Sequence, residues 1–289
     1  GTCVRIFTGA NVPPGADRII KVEDAVERDG VVSISLPAED ARNILRRGED
    51  ARKGAVLVRP GASLDAMRIG VLAAVGKSRV RVRRRPRVAI LCTGSELRRV
   101  QDTVAAHMIR NSNGPALQAA LERWGFPGSR FRVVADRLAT LVRALERALE
   151  SNDVILVTGG VSAGKYDFVP EAAKGAGAKL RFHRVAMRPG KPTLYAAFSG
   201  NRHLFGLPGN PLSALTSFHE FALPAIRRLA GCPSGECRPG WPLPLRAPVA
   251  REPGFRRCAL ARIVQSGGVL QASPVPFRSS ADLAAAALA

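Results

Sequence analysis

The apolar positions between residues 87 and 230 come in two rhythms. Residues 87–92, 131–135 and 153–157 are short, nearly continuous apolar runs, which predict buried strands. Between them apolar residues recur at helical spacing: Leu138, Leu141, Val142, Leu145 and Leu149 make one such stripe, and residues 115–124 predict a helix stopped by Gly125. A longer helix is predicted over 212–230. Strand and helix in alternation predict a doubly wound α/β domain.

The flanks follow a different pattern. Residues 4–7, 19–22 and 31–36 read as short strands broken by Pro13-Pro14-Gly15 and Asp29-Gly30, a small β module over residues 1–40. Residues 41–85 read as a linker with one helix over 64–75, Ser63 as its N-cap and Gly76 just past its end, then a strand over 79–83 in which Arg and Val alternate strictly. The central α/β domain is assigned to 86–231. A Pro-rich stretch over 233–248 leads into a C-terminal β module, 232–289, with strands near 259–264 and 269–272 and an Ala-rich helix over 281–289. The chain opens abruptly, without Met or a lead-in strand, so an N-terminally truncated first module is expected. The last module reads as incomplete.

Composition narrows the class. A chain of 289 residues, 46% hydrophobic, supports more than one packed core. No apolar run approaches the roughly 20 residues that span a bilayer, and no secretory leader pattern is present, so a soluble cytoplasmic protein is expected. The five cysteines form no C-x-x-C pair and are read as reduced. With 44 basic and 23 acidic side chains, a net charge of +21 calls for an anionic partner, either nucleic acid or a phosphorylated small molecule.

Candidate chemistry gathers where predicted strands end. Thr93-Gly94-Ser95-Glu96 and Thr158-Gly159-Gly160-Val161-Ser162-Ala163-Gly164-Lys165 both leave the carboxyl ends of strands, where an open α/β sheet binds its ligands and where glycine lets backbone N–H groups approach an anion. The second loop departs from a nucleotide-binding P-loop because Tyr166 stands where a Ser or Thr would hold Mg²⁺. Glu96, Asp136 and Asp167 follow three strands of this sheet and could converge on a hard cation such as Mg²⁺; each alone also reads as an N-cap or a solvated loop acid. Strand alternation puts Arg184, Ala186 and Arg188 on one face, with Pro189-Gly190 turning Lys191 to the mouth, a cationic trio suited to an oxyanion; an exposed strand face explains the same residues. Pro208-Gly209-Asn210-Pro211 enters the long helix with Pro211 in its first turn, its free amides available to an anion. The four histidines show neither metal spacing nor a catalytic triad.

Six ordered motifs carry a resemblance: Val4-Arg5-Ile6-Phe7-Thr8-Gly9-Ala10, Asn43-Ile44-x-Arg46-x-Gly48-Glu49-Asp50, Pro86-Arg87-Val88-Ala89-Ile90-x-x-Thr93-Gly94-x-Glu96-Leu97, Gly159-Gly160-Val161-Ser162-x-Gly164-x-x-Asp167, Arg188-Pro189-Gly190-Lys191-Pro192 and Gly206-Leu207-Pro208-Gly209-Asn210-Pro211. In this order the chain resembles the molybdopterin molybdenumtransferases and the related domain of gephyrin. The resemblance implies an enzyme of molybdenum cofactor biosynthesis that takes adenylylated molybdopterin, inserts molybdate with Mg²⁺ present and releases AMP. It further implies a cytoplasmic homodimer acting on small molecules, without nucleic acid or membrane, alongside other enzymes of cofactor assembly. By resemblance, Thr8, Asp50, Glu96, Asp136 and Asp167 are functional positions, as are Pro208 and Pro211, while Arg262 and Ser280 reach the cleft from the last domain. Ser95 and Asn111 stand where the family commonly has Asp. Two other readings compete: a molybdopterin adenylyltransferase, and a non-catalytic basic scaffold or nucleic-acid binder using the arginines between 79 and 87.

Overall fold

A computed structural model describes residues 2–35, 43–162, 164, 167–238, 240–250, 252–287 and 289. It divides into two compact units, residues 1–60 with 66–76, and residues 61–65 with 77–289. Among the described residues no helix is long and apolar enough to cross a membrane.

In the first unit, β1 (Ala25–Arg28) and β2 (Val31–Ile34) form an antiparallel hairpin. Asp29 and Gly30 turn it with φ of 48° and 74°, the left-handed pair that matches the twist of the flanking strands. The predicted helix forms as α1 (Ala66–Ala74). Residues 4–7 and 19–22 belong to none of the sheets, contrary to expectation, and a 3₁₀ turn over Val22–Asp24 leads into β1 instead. A run of β-prone side chains becomes a strand only where a neighbouring backbone takes its hydrogen bonds. The expected boundary near residues 36–41 lies outside the described residues.

The second unit is built on a six-stranded sheet. Its members in chain order are β3 (Val88–Thr93), β6 (Arg130–Val134), β7 (Val154–Thr158), β8 (Lys179–His183), β10 (Leu194–Phe198) and β11 (Arg202–Leu207), arranged β6-β3-β7-β11-β10-β8. The first four in that order run parallel, while β10 is antiparallel to both neighbours, so the sheet is mixed. The expected strand over 79–83 does not form, and that stretch is exposed.

Alternate residues of each buried strand feed two cores, as double winding requires. Ile90, Cys92 and Leu156 pack against Leu117 and Leu121 of α2 (Asn113–Arg123) and against Phe218 and Leu223. Leu91, Ile155 and Val157 pack on the other face, against Leu141 and Leu145 of α3 (Leu138–Ser151) and Val169 and Ala172 of α4 (Val169–Gly175). Each fully buried Leu or Ile contributes about 1.5–3 kcal/mol.

The long helix is present with a defect. It runs as α5 (Pro211–Ser217), a π turn (Phe218–Ala222) and α6 (Leu223–Leu229). Pro224 lacks an N–H and its ring crowds the carbonyl four residues back, so the wider π turn sits where the proline needs room.

Beyond it, two-residue strands β9 (Met187–Arg188) and β12 (Arg256–Arg257) pair in parallel and join the C-terminal segment to the central sheet's loops. Another such pair, β4 (Leu97–Arg98) and β5 (Ile109–Arg110), follows β3. The hairpin of β13 (Ala261–Ser266) and β14 (Val269–Pro274) turns at Gly267-Gly268, both at positive φ, and α7 (Leu283–Ala287) closes the chain.

Candidate functional site

Because β3, β6, β7 and β11 are parallel, their carboxyl ends share one edge of the sheet and their exit loops meet there. The chain leaves β3 outward to β6 and returns on its other side to β7, so the crevice opens between β3 and β7, at the switch in strand order where such sheets bind ligands. A cleft of about 910 Å³ occupies this position.

Its floor is backbone and hydroxyl. Thr93 and Thr158, 4% and 1% exposed, end β3 and β7 side by side. Gly159 follows with φ of 87°, and a Cβ there would run into the Thr93 carbonyl oxygen, so this contact of two loops admits only glycine. Gly159 also donates its N–H to Leu207 O at 3.0 Å, tying in the third loop. In that loop Asn113 Nδ2 donates to Gly209 O at 2.7 Å. Asn210 is the N-cap of α5 and Pro211 its first residue; Asn210 lines the cleft and Pro211 does not.

One wall is acidic. Glu96, Asp136 and Asp167 all line the cleft, as does Ser162. Thr93 Oγ1 donates to Asp136 Oδ1 at 3.1 Å, and Asp167 accepts the Gly164 N–H. Burial pushes the Asp136 carboxyl above its ordinary range against the Thr93 hydrogen bond, and the charges of Glu96 and Asp167 push it further. A carboxylate crowded by two others is chemistry that a hard cation relieves. Among the described residues, though, no group of three or more His, Cys, Asp or Glu is drawn together as a metal cage.

The cleft is also lined by cations, and half of them were invisible in the sequence. Arg188 and Lys191 line the cleft as expected, joined by Arg257 and Arg278. The β9–β12 pairing sets Arg257 beside Arg188. Arg188 is ion-paired with Glu252, and its guanidinium lies 4.4 Å from the centre of the Phe255 ring. The expected trio is reduced to a pair: β8 ends at His183, Arg184 takes a left-handed φ of 69°, and strand alternation stops there. Arg184 is exposed and does not line the cleft.

The tail supplies the outer wall. Ser280 accepts from Asn210 Nδ2 at 2.8 Å and offers its carbonyl to Leu212 N–H at 3.0 Å, which seats residues 277–280 across the start of α5. Arg262 lies exposed on β13, outside the lining residues. Thr8 and Asp50 belong to the first unit, Thr8 just before a turn at Gly9 and Asp50 just after one closed by Arg46 N–H to Glu49 Oε2 at 2.7 Å. Ala163, Lys165 and Tyr166 lie outside the described residues. Asn111, 2% exposed, caps the start of α2 by accepting the Gly114 N–H at 3.0 Å. Asn113, Glu252, Arg257, Cys258 and Arg278 are among the lining residues that no local pattern announced.

Known proteins share both the sequence and the arrangement. Residues 1–76 match the model of the MoeA N-terminal region (domain I and II), and residues 89–228 match that of a probable molybdopterin binding domain. A molybdopterin molybdenumtransferase of Staphylococcus aureus is 38% identical over 228 residues, 79% of this chain and 54% of that protein. One from Staphylococcus epidermidis is 37% identical over the same span. The chain therefore spans about half the length of these relatives. Two structures of the molybdopterin biosynthesis MoeA protein of Pyrococcus horikoshii superimpose with TM-scores of 0.69 (28% identity, 96% of this chain, 67% of that one) and 0.74 (24% identity, 98% and 68%).

Proposed function

The chain belongs to the MoeA-type molybdopterin molybdenumtransferase family, and from that premise we propose that it inserts molybdate into adenylylated molybdopterin with release of AMP. The observation that supports this reading is the gathering, in one cleft at the switch in strand order, of three carboxylates with arginine and lysine side chains. The substrates are a pterin bearing a phosphoanhydride and a dianionic oxometalate. Arg188, Lys191, Arg257 and Arg278 bind and orient that negative charge, while the Gly94, Gly159, Gly160 and Gly209 loops let the backbone come close to it. Glu96, Asp136 and Asp167 would hold Mg²⁺, which neutralises phosphate charge when bound. No protein nucleophile is required, because positioning and electrostatic stabilisation suffice for transfer at such a site. Thr8, Asp50 and Arg262 enter the proposal through the family resemblance, together with a cytoplasmic homodimer in which a second copy completes the cleft.

The test is AMP release from adenylylated molybdopterin when molybdate and Mg²⁺ are added. Wild-type chain is expected to release AMP, and Asp167→Asn to lose at least about a hundredfold in rate with an unchanged circular dichroism spectrum. Equal turnover in the variant would remove the acidic wall from the mechanism. Consumption of ATP in place of AMP release would overturn the transferase reading.

A further inference from the structure

Away from the cleft, at the end of α6, two thiols are folded onto one another. A 3₁₀ turn (Ser234–Glu236) brings Cys237 back to Cys232, so that the Cys237 thiol donates to Cys232 O at 3.4 Å and to Pro233 O at 3.2 Å. Cys237 is 6% exposed, whereas Cys232 is half-buried and open to small solutes. Burial, and then the neighbouring Cys232 sulfur, push the Cys237 thiol up, with Arg228 and Arg227 opposing.

The third member of the cluster is Arg227. Its guanidinium lies 5.0 Å from the centre of the Trp124 ring and donates through Nη2 to the Cys232 sulfur at 3.6 Å. Charge developing on that sulfur is therefore met by a cation held in place by stacking. Arg227 Nη1 is buried without any hydrogen-bond partner, an arrangement that costs stability unless an acceptor sometimes arrives. An oxygen carried by the Cys232 sulfur would be such an acceptor. No group of three metal-holding side chains exists among the described residues, so the pair is not part of a described metal cage.

We propose that Cys232 and Cys237 form an oxidation site, converted to an intramolecular disulfide by a two-electron oxidant of the hydroperoxide class. With hydrogen peroxide, the Cys232 sulfur attacks one oxygen; the O–O bond breaks, the other oxygen leaves with the thiol proton as water, and the attacked oxygen stays on sulfur as a sulfenic acid facing Arg227. The Cys237 sulfur then attacks that sulfur, the S–S bond forms, and the hydroxyl leaves with the Cys237 proton as a second water. Two thiols are oxidised, one peroxide is reduced, and a dithiol reductant reverses the change. The site differs from a structural disulfide in having one exposed partner and a cation beside it.

The experiment is alkylation of free thiols, counted by mass spectrometry after hydrogen peroxide treatment of the full chain. The expected count falls from five to three, with residues 232 and 237 joined in the mapped peptides and dithiothreitol restoring all five. Cys232→Ser, at the less buried position, is expected to abolish the bond, and Cys258→Ser to leave it intact. Arg227→Met, which keeps a stem over Trp124 without the guanidinium, is expected to slow the loss at least about threefold. Five thiols persisting in folded wild-type chain, or a crosslink surviving Cys232→Ser, would overturn the proposal. Circular dichroism of each variant distinguishes lost chemistry from lost fold.

Discussion

Gly159 shows how much one residue can decide. Its left-handed backbone and the Thr93 carbonyl beside it both exclude a side chain, so Gly159→Ala is expected to cost about 2 kcal/mol or more and to displace the floor of the cleft. Chemical denaturation would show this as a lower midpoint at unchanged slope. Asp136 carries the opposite sign. Its carboxyl is raised in the folded chain, so the folded state binds the proton more tightly than the unfolded state, and charging it above its ordinary value of 3.8 opposes folding. Asp136→Asn is therefore expected to raise the melting temperature at pH 7, with the gain vanishing as pH falls towards 3.8, while AMP release is lost. A melting temperature that falls at pH 7 would contradict the electrostatic account. Residues such as Glu96, Asp136 and Gly159 were legible because each stands in the loop that leaves an apolar run that had to be a strand. Glu252, Arg257 and Arg278 were not, because what places them is pairing between segments far apart in sequence.

At the scale of elements, buried strands and amphipathic helices were read correctly because burial on one or two faces leaves a period in the sequence. The failures share a cause. Residues 4–7, 19–22 and 79–83 have the side chains of strands but no place in any sheet, and the alternation of Arg and Val over 79–83 says nothing about whether a partner exists. The end of that basic run has a structural duty instead. Arg84 clamps Asp153 through Nη1 and Nη2, each at 2.8 Å, and the Arg87 N–H reaches the same carboxylate at 2.6 Å, pinning the approach to β3 against the start of β7. The Arg84 hydrogen bond holds the Asp153 carboxyl below its ordinary range, which burial only partly offsets. This stabilisation is present above the unfolded value of 3.8 and is lost as pH falls through the lower folded value. Asp153→Asn should accordingly lower the melting temperature at pH 7, with the difference from wild type shrinking on acidification below 3.8. A difference independent of pH would mean that packing, not charge, is what the substitution disturbs.

For the whole molecule, a net charge of +21 resolves into local assignments: some arginines clamp carboxylates, and others face a cleft. The charge total forecast an anionic partner without saying where; in the fold, four of the basic side chains line the cleft at the sheet's switch in strand order. The outer wall rests on a slender attachment. Residues 277–280 are held across the start of α5 by the Ser280 hydrogen bonds to Asn210 and Leu212, with Arg278 facing the cleft. A peptide bond after an arginine is what trypsin cuts, and here that bond lies on the rim that an occupant would cover. Ligand seated against Arg278 is expected to slow cleavage there in limited digestion, with cuts in the first unit serving as the internal standard. The tail thereby turns occupancy of the cleft into a band on a gel, readable with no label and before any turnover has been measured.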